Sequence, residues 1–198
     1  MSTLPVTLGR TRRSVAVRAV VAGAVATVGA LLIAFIASNV VAFTGQRSLA
    51  ARWDNALANP AAHANPIPGD PVARIRIPLT GLDAIVVEGG APSRAPLHLP
   101  KTALPGFPGL AAIESGRLGF GSFFSTIDRL QPGDEIFVQS LRGVVRYRVT
   151  DVQRLDPAAI DFTDGGDATT IALVAPASRL AGSERIVVRA RAAAEISS

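Results

Sequence analysis

The clearest alternation of apolar and polar positions lies near the end of the chain. Residues 169–175 read Thr-Thr-Ile-Ala-Leu-Val-Ala, residues 176–183 hold Pro, Gly and Ser, and residues 184–191 read Glu-Arg-Ile-Val-Val-Arg-Ala-Arg. Two β-branched runs around such a loop predict two strands joined by a short connection. In the second run Ile186, Val188 and Ala190 alternate with Arg185, Val187 and Arg189, which predicts one apolar face and one cationic face. Arg185, on a strand beside a loop, is a candidate anion or oxyanion binder. Earlier runs at 72–77 and 82–88 flank a turn at 78–81, and 110–115 is a short apolar strand. Residues 91–109 carry Pro and Gly without a steady period and read as a long loop. Phe123, Phe124, Ile127 and Leu130 follow a helical spacing within 119–130, with Ser122 as a candidate N-cap. A turn at 131–134 leads into strands at 135–140, 143–150 and 152–155. About eight short strands with one or two short helices predict a mainly β chain closed, or nearly closed, into a barrel. The roughly 120 residues involved are enough to bury a core.

The first third of the chain follows a different pattern. Residues 19–43 contain no charge, and a helix of that length would span about 37 Å, enough for a hydrocarbon core of about 30 Å. Arg10, Arg12, Arg13 and Arg18 precede it, and only Arg47 and Arg52 follow closely, which predicts a cytoplasmic N-terminus by the positive-inside rule. Its length favours a single-pass signal anchor over a cleaved signal peptide, whose apolar region runs about 7–15 residues. Leu49, Trp53 and Leu57 at four-residue spacing predict an amphipathic helix after the span, with Trp53 packed on the folded domain. The Pro-rich stretch up to Pro71 reads as an extended spacer, with His63 a solvated linker residue. The predicted organisation is a basic tail (1–18), a transmembrane anchor (19–43), a stalk and linker (44–71), a barrel (72–191) and a C-terminal tail (192–198).

Charge and composition exclude several functions. Most of the net charge of +5 comes from the four arginines before residue 19, so the folded part carries no concentrated basic patch for nucleic acid. With no Cys, disulfides, thiolate metal sites and thiol chemistry are all absent. Asp161, Asp164 and Asp167 lack the ligand spacing and closing Glu of a calcium loop and read as a turn. Residues 118–122 lack the pattern and Lys of a phosphate loop. No metal and no cofactor is expected.

The final hairpin resembles the last two strands of a sortase barrel, most closely of the class E type. The similarity extends over 72–191: Ala73 to Gly89 is similar to the family's opening strand pair, and Leu97 to Gly109 to its Pro-Gly loop. Ala112 to Arg117, with Phe124 and Asp128 to Ile136, is similar to the segment holding the catalytic His and the helix after it. The resemblance implies a Cys nucleophile, a His acid and an Arg that steadies substrate and oxyanion. At those positions this chain has Pro176, Gly116 and Arg185. Pro offers no nucleophile and Gly moves no proton, so the resemblance implies a degenerate, extracytoplasmic, membrane-anchored member at a bacterial surface that binds a peptide or cell-surface protein, an active sortase included. Two other readings stay open: a transpeptidase or peptidase using Ser178, with His98 as the only histidine of the domain to serve it, and a purely structural surface module. Candidate binding residues are Arg185, Arg117, His98 (a groove wall), Glu114 and Ser178. Glu114 is expected on the same side as Gly116, paired with Arg185 or Arg117 across the vacated centre.

Overall fold

The computed structural model describes residues 23, 24, 26–30, 45–90, 95–117, 122–162, 168–178 and 184–193. The chain divides into two units, Met1–Ser38 and Asn39–Ser198. In the first, the described residues are helical, with the Thr27 hydroxyl donating to the Gly23 carbonyl at 2.9 Å. Among the described residues no helix is long and apolar enough to cross a membrane. The predicted basic tail, most of the predicted span at 19–43 and residues 194–198 lie outside the described residues, as do 118–121 and most of the Asp161–Asp167 turn.

The second unit is built on eight strands: β1 (Pro71–Ile77), β2 (Leu82–Glu88), β3 (Leu97–His98), β4 (Gly109–Glu114), β5 (Glu135–Ser140), β6 (Gly143–Leu155), β7 (Thr169–Pro176) and β8 (Arg185–Ala192). They close into a barrel in the order β1-β2-β3-β4-β7-β8-β6-β5, with β2/β3 and β4/β7 parallel and the other pairs antiparallel. Closure gives every strand a neighbour on each side, although two-residue β3 covers only the end of β2. Period-two alternation fills the interior with Ile75, Ile77, Ala84, Val86, Ala111, Ile113, Ile136, Val138, Tyr147, Ile171, Leu173, Ile186 and Val188. The Tyr147 hydroxyl accepts from the Gly106 N–H at 3.0 Å, and burial pushes its pKa up to about 12.

The predicted mainly β barrel of eight strands is present, with three local differences. Residues 143–155 form one strand rather than two, because a bulge between Val149 and Asp151 absorbs the break in alternation. The strand so removed from the count is replaced by β3, inside the predicted long loop. Of the predicted helix over 119–130, the described residues 122–130 contain only a 3-10 turn at Ile127–Arg129, with no side-chain cap at its start. Its apolar spacing is used all the same, since Phe124, Ile127 and Leu130 are buried in the core. In place of an α-helix the described residues make successive i→i−3 turns, Ser125 N–H to the Ser122 carbonyl at 3.2 Å, Ile127 to Phe124 at 3.4 Å and Arg129 to Thr126 at 3.1 Å.

Helix α1 (45–58) lies against the outer face of β2 and β3, where Leu49, Trp53 and Ala56 pack on Ile85, Val87 and Leu97. Trp53 is 1% exposed, as a residue packed on the folded domain should be. Beside α1, β2 lacks a partner strand at Ile85, since β3 pairs only with Val87 and Glu88. The Gln46 amide fills the gap: its oxygen accepts from the Ile85 N–H at 2.7 Å and its nitrogen donates to the Ile85 carbonyl at 3.3 Å. One side chain thus supplies the two hydrogen bonds that a neighbouring strand would.

Candidate functional site

The register of three strands sets the site. Parallel pairing of β4 with β7 places Glu114 beside Val174, and the Ser115 N–H continues it by donating to the Val174 carbonyl at 3.1 Å. Carried on two residues, past the end of β4, this register brings Gly116 level with Pro176 at the end of β7. Antiparallel pairing of β7 with β8 puts Arg185 directly opposite Pro176. The three positions singled out in the sequence are therefore brought together. Since Ile113, Leu173, Ala175 and Ile186 face the core, alternation turns Glu114, Gly116, Pro176 and Arg185 to the outer face of the barrel. Along that face Leu110, Ala172 and Val187 are covered by Leu155, Ile160 and Phe162. Toward the strand ends Glu114, Gly116, Pro176 and Arg185 remain partly exposed.

Arg117 locks the end of this sheet. It is 5% exposed, and its guanidinium donates to the Ala177 carbonyl at 2.9 Å and the Ser125 carbonyl at 3.3 Å, and pairs with Asp128 at 2.7 Å. One cation thereby ties the end of β4 to the chain leaving β7 and to the segment before the 3-10 turn. This corrects the expected Glu114 pair: Asp128 holds Arg117, and Glu114 belongs to none of the ion pairs among the described residues. The physical reason is alternation, which sends the side chains of Glu114 and Arg117 to opposite faces. Asp128 carried no signal as a partner in the sequence, because eleven residues separate it from Arg117 and the intervening turn could not be foreseen.

His98 is not a groove wall. It is 2% exposed, opposite Ile113 on the inner side of the sheet. Its Nδ1 lies 2.6 Å from a Glu88 carboxylate oxygen, and its Nε2 lies 2.9 Å from the Ala103 carbonyl and 3.0 Å from the Thr102 hydroxyl. Both ring nitrogens are thus held by partners inside the domain, and neither is turned toward the site. The Thr102 hydroxyl is likewise spent, donating to the Leu99 carbonyl at 2.8 Å and accepting from the Ala112 N–H at 3.1 Å. Carboxylate, imidazole and hydroxyl stand in the order of a hydrolytic triad, but the imidazole also meets the Ala103 carbonyl and the hydroxyl the Leu99 carbonyl and the Ala112 N–H, so the group clamps residues 99–103 onto β4. His98 pairs three residues before Gly116, about 10 Å along the strand, so the Ser178–His98 pairing does not form. Ser178 itself is exposed and engaged in other contacts. Among the described residues no group of three or more His, Asp or Glu could hold a metal ion.

The family model for the sortase domain matches residues 75–193. The chain belongs to the sortase family. Solved sortases share its fold: the Sortase D5 transpeptidase of Clostridium perfringens is 23% identical over 76% of this chain and 99% of that one, with a TM-score of 0.68. Sortase C-1 of Actinomyces oris is 24% identical over 64% of this chain and 77% of its own, with a TM-score of 0.59. A lid mutant of sortase A from Corynebacterium diphtheriae is 21% identical over 62% and 69%, with a TM-score of 0.57. At these identities the likeness is one of fold. No curated protein sequence matches the chain. Sortases act on peptides or proteins, and the outer face of β4, β7 and β8 in this sortase domain presents Arg185 beside two positions that hold neither a nucleophile nor a proton carrier.

Proposed function

We propose that this chain is a membrane-anchored, extracytoplasmic, class E-like sortase homologue that binds an extended peptide or a cell-surface protein, an active sortase included, without cleaving it. The observation that carries the reading is the convergence of Gly116, Pro176 and Arg185 on one face: the binding cation is present where the groups that would make and break an amide are not. The reading gains support from the hydroxyls nearby. Ser178 would need a positioned base, and the domain's histidine is committed to Glu88 and Ala103. Anchoring through 19–43 rests on the length of the uncharged stretch and on the arginines that precede it.

The test uses the full chain in detergent, a labelled sorting-signal peptide and two measurements, binding and cleavage. The expected result is binding that weakens in Arg185→Ala, with no cleavage by the wild-type chain. Turnover that disappears in Ser178→Ala would establish the serine enzyme instead, and absence of binding in both chains would establish the structural module.

A further inference from the structure

A second surface lies on the other side of the barrel, where β2, β1, β5 and β6 run side by side. Cross-strand register lines up two rows of outward side chains: Asp83, Arg76, Phe137 and Arg146 in one, and Ile85, Arg74, Gln139 and Val144 in the next. Between them is a concavity of about 290 Å³ lined by Arg74, Arg76, Asp83, Phe137, Gln139 and Val144.

Its charges do not balance. Asp83 gives both carboxylate oxygens to Arg74, at 2.7 and 2.8 Å. One Glu135 oxygen serves Arg146 at 3.3 Å and Arg148 at 3.8 Å. Arg76 belongs to no ion pair among the described residues. Its guanidinium lies over the Phe137 ring at 5.4 Å from the centroid, a stacking that fixes the plane of the fork and leaves its N–H edges for an acceptor. Gln139 accepts from the Trp53 indole at 3.5 Å, so its amide NH2 is the end left to serve a ligand. The apolar side of the concavity is Phe137 together with Val144, which is 65% exposed.

Donors beside an exposed aliphatic wall call for a carboxylate with an aliphatic neighbour. We propose that this face docks an acidic peptide segment of a partner protein, with a Glu or Asp carboxylate forked onto Arg76 and an adjacent aliphatic side chain against Val144 and Phe137. Recognition at the fork is through side chains, because β1 at Arg74 and Arg76 and β5 at Phe137 and Gln139 are paired on both sides and offer no edge for strand addition. A lipid surface is the poorer fit. Membrane docking gains about 1 kcal/mol per basic residue and needs several of them, whereas the four arginines on this face are largely met by Asp83, by the charge of Asp54 near Arg74 and by the shared Glu135.

The test measures anisotropy of a rhodamine-labelled Gly-Glu-Leu-Glu-Leu-Gly peptide against the full chain in zwitterionic detergent. A second peptide with Gln in place of Glu and a titration with phosphatidylglycerol–phosphatidylcholine vesicles run in parallel. The Glu peptide is expected to bind, the Gln peptide to bind less, and Arg76→Ala to weaken the Glu peptide roughly ten- to hundredfold, the range for one charge-assisted hydrogen-bonded contact. Arg76→Lys, which keeps the charge but loses the fork, falls between. Arg185→Ala leaves this binding unchanged, which separates the site from the groove of the proposed function. No binding of the Glu peptide, equal affinity for the Gln peptide, or full affinity in Arg76→Ala overturns the proposal. Arg76-dependent vesicle binding without peptide binding overturns it in favour of a lipid surface.

Discussion

Arg117→Met removes the one cation that ties the chain leaving β7 to the end of β4, while keeping most of the buried side-chain volume. Four contacts are lost, and they are unequal, the one to the Pro176 carbonyl at 3.5 Å being the longest and weakest. The bond to the Ala177 carbonyl, at 2.9 Å from a charged donor, is worth about 1.5–3 kcal/mol. The Asp128 partner is 37% exposed and is rehydrated when abandoned, so the ion pair contributes about 0.5 kcal/mol. The Ser125 contact at 3.3 Å is long and adds little. Against these stands a gain, because the Arg117 Nε is buried without a partner and its removal recovers about 1 kcal/mol of desolvation. The net expectation is a loss of about 2 kcal/mol, which at a urea m-value near 2 kcal/mol/M lowers the midpoint by about 1 M. Urea denaturation followed by circular dichroism reads it, and hydrogen exchange localises it. The Ala177 N–H, bonded to the Glu184 carbonyl at 2.9 Å, should exchange faster, while Val188 in the middle of β8 keeps its protection. Asp128→Asn should cost about 0.5 kcal/mol. If Asp128→Asn costs as much as Arg117→Met, or if Arg117→Met leaves the midpoint unmoved, then the carbonyl clamp is not what holds the end of the sheet.

Tyr147 is the only tyrosine, so absorbance at alkaline pH reads it alone. Its midpoint is expected at about 12 in the native chain and about 10 in urea. Because the folded value is the higher one, stability is full below pH 10 and falls as pH rises toward 12; a native midpoint near 10 would mean a wet barrel interior. Asp83, whose pKa is lowered chiefly by its hydrogen bond from Arg74, acts in the opposite sense, with a small contribution present above its ordinary value and lost as pH falls through the lowered one; Asp83→Asn should flatten that acid limb. Gly106 has φ +86° and a Cβ there would lie 2.6 Å from the Ser140 hydroxyl, so Gly106→Ala should cost about 3 kcal/mol from strain and overpacking together, with partial recovery in Gly106→Ala/Ser140→Gly as the check on calorimetry. Gln46→Leu strips the Ile85 N–H and carbonyl of their partners and should cost about 1–3 kcal/mol, with faster exchange at Ile85 and none at Ile113.

How much could be read beforehand depended on whether a pattern was local. β1 and β5 were legible because each writes a period of two into its own residues, while β2 and the final hairpin, covered on their outer face as well, were legible as short β-branched runs bounded by turn residues. β3 was not, since two residues carry no period and their pairing with Glu88 and Ile113 is decided elsewhere in the chain. The spacing of Phe124, Ile127 and Leu130 correctly named the buried face but not the backbone, because a helix and a bent loop can present the same three residues to a core. At the site, the convergence of Gly116, Pro176 and Arg185 followed from register in the sequence resemblance. The partners of Arg117 and His98 did not, because Asp128 and Glu88 meet them only through tertiary closure. His98 shows the limit most clearly: a lone histidine in a Pro-Gly loop suggests a groove, and only the partners at its two ring nitrogens reveal a clamp.

The barrel keeps its stability and its site on opposite faces of the same strands. Ile113, Leu173, Ala175 and Ile186 face inward and hold the core, while Gly116, Pro176 and Arg185 alternate outward. What occupies positions 116 and 176 therefore has little bearing on packing. Backbone pairing is similarly indifferent. The Ala177 N–H points to β8, where it meets the Glu184 carbonyl, so the backbone nitrogen one residue earlier faces β4. A proline there costs only the last rung of the β4–β7 ladder, just where β7 ends. The sheet therefore accepts Pro at position 176 at little cost. The fold alone would carry a nucleophile and an acid in the same places, so the function of this chain has to be argued from the side chains it has, above all from Arg185.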